Sequence, residues 1–108
     1  MSKKTQTIGE VTNAQITQWK QAHGNVYRFD VETEDAVHVC YLKEPEIDKL
    51  GAITSKAKTD EMAAGLLFLK ACWLGGDEKF KSNVKLMAGV SSQMHVLTES
   101  KSAKVKKL

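Results

Sequence analysis

A chain of 108 residues has room for one compact domain, which excludes a two-domain enzyme. Its 42% apolar and 27% charged residues, with three Phe, two Tyr and two Trp, suffice for a small core and exclude disorder along the whole length. The formal net charge of +3 is unevenly placed: six of the sixteen cations lie at the ends, and residues 5–98 carry ten cations against twelve acids, so no basic groove for nucleic acid is expected on the body.

The first element in chain order is a short helix. Thr12 or Asn13 can cap it, Ile16 and Trp19 share one face, and Gly24 suits its end. At Val26 the period changes to two: Tyr27, Phe29 and Val31 point one way, Arg28, Asp30 and Glu32 the other, which predicts a half-buried strand. After the polar turn Thr33-Glu34-Asp35, Ala36–Lys43 returns as a β-branched and aromatic run, apolar on both faces and so better covered than its partner. A lone hairpin is marginal in water, so helices must pack on it or another chain must extend it.

Pro45 as the first helical residue, with acids at Glu44, Glu46 and Asp48 and apolar residues at Ile47, Leu50 and Ile53, predicts a second helix over 45–57. A third, capped by Thr59 and running through Met62, Leu66, Leu67, Trp73 and Leu74 to a stop at Gly75-Gly76, is the most apolar and should be the most buried. Asp77–Lys81 reads as a charged connector. Ser82 then caps a fourth helix through Leu97, with Met87, Val90, Met94 and Leu97 as its seam. The expectation is an α+β fold of order α-β-β-α-α-α: an antiparallel hairpin packed with about four helices in one domain over 11–98, between flexible tails 1–10 and 99–108.

Chemistry-bearing patterns are sparse. His23, His38, His95, Cys40 and Cys72 offer no HxxxH, CxxC or ExxH spacing, so neither metal nor cofactor is expected. The cysteines sit in apolar surroundings and read as buried free thiols. There is no GxSxG, and Gly75-Gly76-Asp77 follows a helix and lacks the GxxxxGK[ST] pattern of a phosphate loop, so no catalytic residue is assigned. No run reaches the roughly 18 apolar residues of a membrane span, and Met1–Gln6 leads into no signal-peptide core; an intracellular, soluble protein is expected. What stands out is apolar surplus for the chain's size, which makes Leu66, Leu67, Met87, Val90 and Met94 candidates for a helical surface for self-association or for another chain.

The run Val37–Tyr41-Leu42-Lys43-Glu44-Pro45, a helix, Lys58-Thr59-Asp60, and then Cys72-Trp73-Leu74-Gly75-Gly76-Asp77-Glu78 resembles small tail assembly chaperones of tailed phages and prophages over about residues 12–99. That resemblance implies a non-enzymatic protein of the bacterial host cytoplasm, absent from the mature virion. It would coat the tape-measure protein, keep it from aggregating and yield it to tail-tube subunits. Many such proteins have a second form made by a late frameshift, for which the Lys-rich end Lys104-Val105-Lys106-Lys107-Leu108 is the matching place. The alternative is a structural head or tail component, or another small protein-interaction module.

Overall fold

The computed structural model describes residues 6–93 and residue 107. Its elements are β1 (Gln6–Ile8), α1 (Asn13–His23), β2 (Val26–Glu32), β3 (Ala36–Lys43), α2 (Ile47–Ala57), α3 (Glu61–Cys72), β4 (Trp73–Gly76), a 3-10 turn (Glu78–Lys81) and α4 (Val84–Gln93). This is an α+β fold in which a four-stranded sheet has helices on both faces.

The centre of the sheet is β3. β2 pairs antiparallel along it from Val26↔Lys43 to Glu32↔Val37. β1 and β4 share its other edge: Gln6–Ile8 runs parallel to Ala36–His38, and Trp73–Gly76 runs antiparallel to Cys40–Leu42 with an irregularity between Tyr41 and Leu42. The hairpin is therefore extended by its own chain. Two-sided cover explains why β3 is apolar on both faces: Val39, Cys40, Tyr41 and Leu42 are all at most 1% exposed.

One face of the sheet receives α1. Thr12 Oγ1 accepts from the Gln15 N–H, Gly24 closes the helix by donating to the Lys20 carbonyl, and the Trp19 ring lies 5.5 Å from that of Tyr41. The opposite face carries the main core, in which Phe29, Cys40 and Leu42 meet Ile53 of α2, Phe68, Leu69 and Cys72 of α3, Phe80 of the 3-10 turn, and Leu86 and Val90 of α4. α3 buries five residues, more than any other described helix. Gly65 lets α4 come close to it, since a Cβ there would lie 1.9 Å from Ser91 Oγ.

Several boundaries differ from expectation. Gln6–Ile8, assigned to the flexible tail, is a strand too short to show a period. Pro45 stands before α2, because Glu46 is extended (ψ 158°) and occupies the N-cap position without a side-chain cap hydrogen bond; Ile47 projects into solvent at 89% exposure, so the seam is carried by Leu50 and Ile53. Asp60, whose carboxylate accepts from the Ala63 N–H, caps α3 in place of Thr59, and Asn83, accepting from the N–H groups of Lys85 and Leu86, caps α4 in place of Ser82. Trp73 and Leu74, expected in α3, are extended, because the open edge of β3 supplies hydrogen-bond partners that an apolar run can take up equally well as strand. The expected extension of α4 to Leu97 lies outside the described residues.

Candidate functional site

Among the described residues, two places combine shape with chemistry. The first is where β4 turns into the 3-10 turn. Gly76 has φ +124°, and a Cβ there would sit 2.5 Å from the Val39 carbonyl oxygen and 2.6 Å from Cys40 Cα, so only glycine fits against the central strand. The next residue, Asp77, is 8% exposed. One of its oxygens accepts from the Lys79 N–H at 3.0 Å, and the other lies 2.7 Å from His38 Nδ1. Burial works against the ionised carboxylate, but the His38 hydrogen bond, the Lys79 N–H and the charges of His38 and Lys79 outweigh it and hold the carboxyl below its ordinary value of 3.8. An ionised carboxylate only accepts, so Nδ1–H donates.

The other imidazole nitrogen, Nε2, lies 3.3 Å from Thr33 Oγ1, whose hydroxyl donates to the Ala36 carbonyl at 3.1 Å. The same connectivity orders nucleophile, base and acid in hydrolases. Here the hydroxyl is turned into its own hairpin turn, and the row Thr33–His38–Asp77 ties that turn to the end of β4. Beside it opens a cleft of about 640 Å³ whose walls mix acids (Glu32, Glu34, Asp35) with lysines (Lys79, Lys85).

The second place is an open groove of about 230 Å³ where α2 meets α3, lined by Ala63, Leu66 and Leu67 with Lys56 and Lys70. It exists because α3 is apolar nearly all round. Ala64, Phe68, Leu69 and Cys72 turn to the core, which leaves Ala63, Leu66, Leu67 and Lys70, at i, i+3, i+4 and i+7, on one outer stripe.

No family model matches the sequence, and no curated protein matches it. Among solved structures, the fold is similar to that of an uncharacterised protein, rbstp2171, from Bacillus stearothermophilus. The TM-score is 0.53 at 18% identity, over 84% of this chain and 99% of that one. At that identity the likeness concerns the fold.

The five residues proposed from sequence as a partner surface separate. Leu66 and Leu67 are half-buried and line the groove together. Val90 is fully buried in the core and is corrected to a core residue, because the face of α4 that it shares with Leu86 is the one turned to the sheet. Met87 is half-buried against the same core, and Met94 lies outside the described residues. Lys56 has no signal in the sequence as part of this surface; only the packing of α2 against α3 puts it in one groove with Leu66. The His38–Asp77 contact spans 39 residues and has no spacing signature. Cys40 and Cys72 are buried free thiols, pushed up to about 12 and about 11 by burial first; Asp30 and Asp77 add to the shift at Cys40, whereas at Cys72 the charge of Lys43 opposes it and that of Glu46 adds to it. Among the described residues no group of three His, Cys, Asp or Glu side chains is placed to hold a metal ion, and no helix is long and apolar enough to cross a membrane.

Proposed function

We propose that this chain is a non-enzymatic tail assembly chaperone that binds a tape-measure protein and keeps it soluble until the tail tube polymerises. The observation that carries the reading is the outer stripe of α3, where Leu66 and Leu67 form an open apolar groove on a body of charged surface. A long helical client presents apolar stripes that aggregate unless covered, and a shallow groove covers them with an affinity low enough for release. The sequence likeness over about residues 12–99 supports the same reading. On this proposal the partners are the tape-measure protein and the tail-tube protein, with several copies of the chain along one client.

Co-expression tests it. A co-expressed candidate tape-measure protein should move from the insoluble to the soluble fraction when the chain is present, and the two should copurify. No gain in soluble tape measure would overturn the proposal. Recovery of the chain from purified particles would favour a structural virion component in its place.

A further inference from the structure

The groove between α2 and α3 also has a charge pattern. Its lining holds two lysines and no acid, and no ion pair among the described residues engages either lysine. Both are exposed, Lys56 in the last turn of α2 and Lys70 in the last turn of α3. Because α2 and α3 pack on one another, the trough between them is where ridges of a third helix would seat.

We infer that the groove takes one face of an acidic amphipathic helix from a partner chain. Apolar side chains of that helix at i, i+3 or i+4, and i+7 rest on Leu66 and Leu67, and its flanking carboxylates lie beside Lys56 and Lys70. The occupant is a foreign chain on grounds of charge. None of the described helices of this protein carries a net negative charge, so a second copy offers no acidic helix among its described residues. Its own C-terminal residues 99–108 hold four lysines and one acid, which matches the sign of the rim. This rests on the reading of the chain as a holder of helical clients and names the chemistry of the client segment.

The test uses the full chain and two synthetic peptides with the same apolar stripe, one flanked by glutamates and one by lysines, titrated by fluorescence anisotropy. Wild type should prefer the glutamate peptide by about tenfold at low salt, as expected for two exposed charge pairs and removal of two like-charge contacts. The preference should shrink as salt is raised. The double variant Lys56→Glu/Lys70→Glu should reverse it, and a gained affinity for the lysine peptide cannot arise from misfolding. Equal binding of the two peptides to wild type, or an unchanged preference in the variant, would overturn the inference. So would self-association abolished by Leu66→Asp, which places a second copy in the groove. Cross-links from Lys56 or Lys70 to Lys101, Lys104, Lys106 or Lys107 that the glutamate peptide fails to displace would overturn it in favour of the chain's own end. Peptide discrimination without client solubilisation keeps the groove and removes the chaperone, whereas solubilisation unaffected by the double variant does the opposite.

Discussion

Asp77→Ala should destabilise the protein by about 3 kcal/mol at neutral pH. The substitution removes a hydrogen bond to a buried histidine, worth about 1.5–3 kcal/mol when one partner is charged, and leaves His38 Nδ1–H facing an apolar methyl in a site where the histidine is 8% exposed. It also removes the acceptor for the Lys79 N–H that starts the 3-10 turn, worth about 1 kcal/mol. Asp77→Asn is the informative partner. Its amide oxygen still accepts from Lys79, and its NH₂ can donate to His38 Nδ1 in the tautomer that carries the ring proton on Nε2, so its cost is about 1 kcal/mol. Urea denaturation followed through Trp19 and Trp73 fluorescence reads both values. The pH dependence has a definite sign. The folded carboxyl lies below its unfolded value, so its contribution is complete above pH about 4 and is lost as pH falls toward the depressed folded value. Asp77→Asn should flatten that acid limb. Asp77→Ala within about 0.5 kcal/mol of wild type, or equal to Asp77→Asn, would refute the reasoning.

Other substitutions test the packing. Gly76→Ala would drive a Cβ into the Val39 carbonyl and the Cys40 backbone from a positive φ, and should cost more than about 3 kcal/mol, read as loss of folded yield and of far-UV signal. Gly65→Ala should destabilise by about 1–2 kcal/mol because its Cβ collides with Ser91 Oγ. Ser91→Ala alone should be neutral or stabilising by up to about 1 kcal/mol, since that buried hydroxyl has no hydrogen-bond partner among the described residues, and the double variant should lose less than the sum of the two. Native Cys40 and Cys72 should react with a thiol reagent at pH 8 no faster than the protein unfolds; rapid labelling of either without denaturant would contradict their burial.

Local signals sufficed where every residue of an element agreed with its neighbours. α1 has its capping threonine, its Ile16 and Trp19 face and its closing glycine within thirteen residues, 12–24, and β2 and β3 alternate or fill both faces over the ranges expected. Trp73-Leu74-Gly75-Gly76 shows where such reading fails. The apolar pair continues the helical pattern of α3, and only the unpaired edge of β3 draws it into the sheet. The string Cys72–Glu78, conspicuous in the sequence, becomes intelligible once placed. Cys72 is core, Trp73 packs on Phe80 under Lys81, Gly75 admits the Trp19 ring, Gly76 hugs the central strand, and Asp77 binds His38.

The sequence by itself determined the α+β class, the hairpin with its doubly apolar second strand, the burial of both thiols and the apolar excess of α3. These depend on side-chain pattern over a few turns, which chain order preserves. Only the tertiary structure decided which strands complete the sheet, which face of α3 is left open, and which of the five candidate residues share a groove. Leu66 and Leu67 separate from Val90 because α4 turns its own seam onto the sheet, while Lys56 joins them from another helix. Such neighbours are set by packing across gaps of ten to forty residues, and no local spacing records them.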